Sequence, residues 1–176
     1  MLKKGLFVFL FLSYQCCFAQ YHPVAAESSV QFNLKNFGFK TGGTLSGPEG
    51  DIIFNPDDLT KSSFSVTIKA ESINTDNESR DAHLKEETYL DVKNYPLIRF
   101  VSSSVKENGK KGSYQTVGTL TIKSKSREVI LPFTAERNSN GWTFSGSFKM
   151  NRKDYDVGGS STLSDEVVVD IKVVAR

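Results

Sequence analysis

Apolar and polar residues alternate one by one through most of this chain, and a period of two leaves little room for anything but antiparallel β-structure. The cleanest run sets Phe64, Val66, Ile68 and Ala70 against Ser65, Thr67, Lys69 and Glu71. The same pattern returns at Val30, Phe32 and Leu34, at Val129, Leu131, Phe133 and Ala135, and at Trp142, Phe144, Phe148 and Met150. Val167, Val169, Ile171 and Val173 close the chain in the same way. Shorter strands are expected from Thr44 toward Ser46 and around Ile52 and Phe54, and longer ones from Ile98 into Val105 and from Tyr114 to Ile122. Turn residues separate them: Asn108-Gly109-Lys110-Lys111-Gly112, Lys123 to Arg127, and Asn138-Ser139-Asn140-Gly141. Gly38, Gly42 and Gly43 read as interruptions of a Phe-rich turn, and Tyr21 to Glu27 as a loop before the first strand. Asn55-Pro56-Asp57-Asp58 reads as a capped turn. The total is eight or nine short strands in a sandwich or a barrel.

One stretch breaks the alternation. From Asn77 to Phe100 the spacing is helical: Asp76 or Asn77 caps, and Arg80, His83 and Leu84 share a face with Asp81 beside it. Pro96 forces Tyr95 toward an extended conformation, so the helix is expected to fail near Asp91 to Asn94.

The first 19 residues read differently again. Lys3-Lys4 precede an apolar run from Gly5 to Tyr14, and Cys17-Phe18-Ala19 place small residues at −3 and −1 before Gln20. That is the layout of a secretory signal peptide cleaved after Ala19, leaving residues 20–176 as one domain in the periplasm or outside the cell. Cleavage would remove both cysteines, Cys16 and Cys17, so thiol chemistry and disulfides are excluded from the mature chain. It would also remove two of 22 basic residues and leave 20 against 20 acidic ones. A neutral chain gives no electrostatic case for nucleic acid. No second hydrophobic run is long enough for a membrane-spanning helix.

Candidate chemistry is sparse. Two histidines, His22 and His83, and the absence of a Gly-x-Ser-x-Gly elbow leave no serine triad. His83, Glu86 and Glu87 have a spacing that could hold a metal, but with no second cluster they read as a solvated helix face. No phosphate-binding glycine loop opens a helix. No catalytic set, metal or cofactor is therefore expected. The inward strand faces are rich in phenylalanine, at 32, 54, 64, 100, 133, 144 and 148. An eight-stranded closed sheet either fills with such side chains or holds one small ligand. The pattern alone leaves both open: a hollow barrel, or a solid structural module. Arg80 and Arg152 could meet a carboxylate or phosphate at a rim, or pair with local acids to fix loops, Arg152 with Asp154 or Asp81.

The run Thr75-x-Asn77-x-x-Arg80-Asp81-x-His83-Leu84, followed by Leu90-Asp91-Val92-x-x-Tyr95-Pro96-x-x-x-Phe100, resembles the signature of the YceI-like family of bacterial secreted or periplasmic proteins. Ser29-Val30-x-Phe32, Gly118-x-Leu120-Thr121-Ile122 and Arg152-x-Asp154-Tyr155 resemble its other conserved segments, so the likeness spans the mature chain. The resemblance implies an all-β fold: an extended eight-stranded, lipocalin-like antiparallel barrel with one short helix between strands. It implies a non-enzymatic protein that carries or sequesters an isoprenoid quinone, a polyprenyl lipid, or a fatty acid or its amide, and it leaves a homodimer open. On that reading Phe32, Phe54, Phe64, Val66, Ile68, Phe100, Leu120, Phe133, Phe144 and Phe148 line the pore. Arg80, His83 and Arg152 stand at its mouth. The alternative with chemistry is a lipid-modifying enzyme using His83 and Asp81 as an acid–base pair. Three positions depart from the family pattern: Lys123-Ser124 and Asp156 stand where glycine is usual, and Tyr89-Leu90 replaces an aromatic pair.

Overall fold

The structure is a computed structural model that describes residues 19–159 and 162–176. The expected signal sequence, with Cys16 and Cys17, lies outside the described residues but for Ala19. Among the described residues there are ten strands: β1 Gln20–Tyr21, β2 Ser29–Asn36, β3 Phe39–Ser46, β4 Glu49–Ile53 and β5 Ser63–Lys69, then β6 Leu97–Glu107, β7 Ser113–Ile122, β8 Lys125–Asn138, β9 Gly141–Asn151 and β10 Glu166–Ala175. One α-helix, α1 Glu78–Leu84, lies between β5 and β6. All ten strands join one antiparallel sheet in the order β1-β4-β5-β6-β7-β8-β9-β10-β2-β3.

The sheet curls until its edges meet. At one seam Thr44 of β3 and Asn74 exchange backbone hydrogen bonds of 2.8 and 2.9 Å. Gly43 makes that approach feasible, because a Cβ there would sit 2.5 Å from the Asn74 carbonyl oxygen. At the other end the chain's first described residues form the seam. β1 pairs with β4, and the next residues reach β10: His22 N–H donates to the Arg176 carbonyl at 2.7 Å, and Arg176 N–H donates back at 3.0 Å.

The strand count is therefore ten, not the expected eight or nine. β1 is two residues long, too short to display alternation, so Tyr21 to Glu27 gave no strand signal. β3 is eight residues long, because Gly42 and Gly43 lie within it and only Phe37-Gly38 forms the turn. In β6 the inward set switches from Ile98 and Phe100 to Val105. A bulge between Ser102 and Ser104 inserts the extra residue that allows this.

Asn77 caps α1 as expected, its side chain accepting from Arg80 N–H at 2.9 Å. The helix is shorter than the spacing suggested and stops at Leu84. Leu90 N–H then turns back to the Leu84 carbonyl at 3.1 Å, which buries Leu90.

Gly118 shows how tightly the wall is built. A Cβ there would lie 2.5 Å from the Phe100 ring, its neighbour on β6. Gly118→Ala is expected to lower stability by roughly 1–3 kcal/mol through overpacking. A fall in the urea midpoint would show it, and an unchanged midpoint would mean that Phe100 yields freely.

Candidate functional site: an apolar cavity

The two ends of the barrel are filled differently. At the end where His22 meets Arg176, Phe54 packs edge-on against Tyr114, Trp142 and Phe144 with ring centroids 5.2, 5.0 and 5.3 Å away. Phe64 and Phe133 complete this aromatic plug. Toward α1 the side chains are mostly aliphatic: Leu45, Ile68, Ile73, Leu90, Leu120 and Ile122. Above the plug lies a cavity of about 310 Å³, within the range that holds small ligands. Its lining is almost wholly apolar. The solid-barrel alternative thus describes one end of the molecule only.

Of the ten phenylalanines and aliphatics expected in a pore, nine face the cavity: Phe32, Phe64, Val66, Ile68, Phe100, Leu120, Phe133, Phe144 and Phe148. Phe54 does not. It sits at the centre of the plug, where five neighbouring rings leave it no free face. Sequence reasoning missed the cavity's far end, where Leu84, Tyr89, Leu90, Val157 and Leu163 contribute from the helix and loops. Those segments have no period of two, so they carried no signal of direction.

The three expected rim residues separate. Arg80 borders the cavity. Its Nε donates to Thr75 Oγ1 at 2.8 Å and its Nη2 to the Thr75 carbonyl at 2.6 Å. It pairs with no acid among the described residues. Arg152 also borders the cavity, but it is only 3% exposed and its guanidinium serves the loop beyond it. Nη1 donates to the carbonyls of Val157 and Gly158 at 2.8 and 2.9 Å, Nε to that of Ser164 at 3.2 Å. Its acid is Asp165, 3.1 Å away, rather than Asp154 or Asp81. His83 does not face the cavity. It is exposed, with Nδ1 3.0 Å from Glu86 Oε2 and its ring edge-on to Tyr89.

The acid–base pair of the enzymatic alternative is not assembled. Asp81 Oδ1 accepts from Thr75 N–H at 2.8 Å and from the Thr75 hydroxyl, while His83 turns to Glu86. Asp81 and Arg80 together clamp Thr75, a buried residue beside the Gly43 seam. Among the described residues no three His, Cys, Asp or Glu side chains converge as metal ligands would. No helix among them is long and apolar enough to cross a membrane.

The departures from the family's glycines have a structural reading. Lys123 and Asp156 both adopt left-handed backbone, with φ of 52° and 54°, where glycine costs least. Lys123 Nζ donates to the carbonyls of Glu87 and Asp156 at 2.8 and 3.0 Å, so the lysine ties the loop after α1 to the turn at Arg152–Tyr155. Tyr155 is 1% exposed and its hydroxyl finds no hydrogen-bond partner among the described residues. Burial, with Asp154 nearby, pushes its phenol up to about 12.

A family model described as the YceI-like domain matches residues 21–175. A UPF0312 protein of Photorhabdus laumondii is 30% identical over 152 residues, covering 79% of this chain and 77% of its own. The crystal structure of Burkholderia cenocepacia BcnA superposes with a TM-score of 0.83 at 28% identity, covering 88% of this chain and 99% of that one. A polyisoprenoid-binding domain from Saccharophagus degradans, implicated in plant cell wall breakdown, has the same fold at 12% identity. Its TM-score is 0.71, over 89% of this chain and 97% of its own.

Proposed function

From the premise that this chain belongs to the YceI-like family, we propose that it is a carrier or sequestering protein for an amphipathic lipid, an isoprenoid or fatty-acyl chain held in the barrel cavity. One observation carries this reading: the cavity is closed at one end by aromatic rings, almost wholly apolar along its length, and bordered by the guanidinium of Arg80, which has no acid partner among the described residues. A tail burying a few hundred Å² there would gain several kcal/mol at ~25 cal/mol per Å². No cofactor or reacting group is required. The fold shared with the Saccharophagus polyisoprenoid-binding domain supports the reading. The separation of Asp81 from His83 favours binding over chemical modification of the lipid.

In this reading Arg80 meets the head group, and His83 and Arg152 support the loops around it. Residues 1–19 act as a secretory leader, which sends the mature chain to the periplasm or beyond. Cleavage after Ala19 would spare the pairing of Gln20 with Ile53 and its side-chain bond to Asp51 at 2.6 Å.

Protein produced in a bacterial envelope should yield a stoichiometric lipid on organic extraction and mass spectrometry. After delipidation it should bind a fluorescent fatty-acid or prenyl probe with micromolar or better affinity. Finding neither a copurifying lipid nor probe binding would overturn the proposal. Recovery of a chemically altered lipid, lost in His83→Ala, would return the enzymatic reading.

A further inference from the structure

The β2–β3 hairpin rises at the same end of the barrel as α1 and carries features that do nothing for the isolated chain. Its two-residue turn is Phe37-Gly38, and Phe37 adopts φ 49°, a conformation that bulky side chains avoid. Phe37 and Phe39 are 74% and 79% exposed. Lys35 and Lys40 stand directly opposite each other in the ladder, where like charges repel. Neither joins an ion pair among the described residues. The acids on the adjoining segment are already engaged: Asp165 by Arg152 and Lys153, Glu166 by Lys149.

The hairpin is continuous with the cavity. Leu34 and Thr41 are cross-strand partners and both line it. The next pair on the same face is Asn36 with Phe39, so Phe39 carries the inner surface outward past the rim. The tip is held in place by Thr162, whose hydroxyl donates to Asn36 at 2.6 Å, and by Ser164 N–H, which donates to the Lys35 carbonyl at 2.7 Å.

We propose that this hairpin docks on an anionic phospholipid bilayer and sets the cavity mouth against it. Aromatic rings enter the headgroup boundary, and a lysine pair that is unfavourable in water is neutralised by lipid phosphates. The Lys35–Lys40 pair selects an anionic surface, and the docked tip turns the cavity mouth beside Leu34 and Thr41 toward it. This deepens the lipid-binding reading and rests on it.

The test is flotation with phosphatidylcholine vesicles, with and without phosphatidylglycerol, run beside a solution assay with a fluorescent fatty-acid probe. The native chain should float with the anionic vesicles only, and salt should release it. Phe37→Ser/Phe39→Ser and Lys35→Glu/Lys40→Glu should each weaken flotation by at least about tenfold while leaving the solution affinity for the probe unchanged. Flotation of either double variant equal to the native chain would overturn the proposal, as would a native chain that binds probe but ignores the vesicles. Equal loss of probe binding in solution would make the hairpin tip part of the binding site rather than a docking element and overturn it as well. Self-association of the native chain, abolished by the phenylalanine variant without vesicle binding, would assign the hairpin to contacts between copies instead. A native chain that binds no probe would fail at the lipid-binding reading itself, a separate result.

Discussion

Val169→Trp should leave the barrel folded and weaken lipid capture by roughly 100-fold. Val169 lies on β10, paired with Phe32 on one side and Phe148 on the other, and all three face the cavity. An indole at this position projects into the hollow middle of the barrel, where the space of about 310 Å³ receives it. Overpacking a filled core would cost 1–3 kcal/mol, but here the added atoms replace an absent ligand, so the thermal midpoint should hold or rise. Blocking about 100 Å² of apolar contact removes roughly 2.5 kcal/mol of binding at ~25 cal/mol per Å². That corresponds to a loss in probe affinity approaching 100-fold. Titration of delipidated native and variant protein measures it directly. Equal affinity in the two would place the ligand outside this cavity.

Arg152→Ala should be the most destabilising single change in the candidate site. Its guanidinium is buried and organises the carbonyls of Val157, Gly158 and Ser164 together with Asp165. Removing it leaves several carbonyls without a donor, at about 1–3 kcal/mol for each group that stays dry. A total of about 3–5 kcal/mol is the expected scale for breaking a buried charged network, or roughly 10 °C in thermal midpoint for a chain of this size. Arg152→Lys should recover less than half, because an ammonium cannot spread its donors over the same fork. Val157 and Leu163 border the cavity from the same loop, so probe affinity should fall with stability. A midpoint within about 2 °C of native would mean that the loop is held by its other contacts.

The contrast between these two residues shows what the sequence could disclose. Val169 belongs to a strand whose alternation names the inward face outright. The same period of two puts Phe32, Val66, Leu120 and Phe148 on the inward face, and all four line the cavity. Arg152 stands in a turn with no periodicity. Its partners lie five to thirteen residues on, mostly as backbone carbonyls, which no side-chain pattern encodes. Phe54 failed in a different way. Alternation says that a side chain points inward but not at which height, and height alone separates the plug from the cavity. The bulge at Ser102 and Ser104 and the two-residue strand β1 are long-range accommodations, visible only once the sheet has curled. The helix stopped early because Leu90 gains more from burial against the barrel than from one more helical turn in water.

The seam between His22 and Arg176 bears on when this molecule becomes a container at all. The residues that complete the ring at this end, His22 and Arg176, stand far apart in sequence, so this closure spans nearly all of the described residues. Long-range pairing of this kind slows folding, so this seam is expected to form late. Until then the aromatic plug has no floor strand beneath it, and the hollow above stays an open trough. A lipid present during that interval meets a half-formed gutter, not a narrow mouth. Loading during first folding and exchange after closure should therefore be separate kinetic events, with refolding in the presence of lipid filling the protein faster than mixing lipid with the finished barrel.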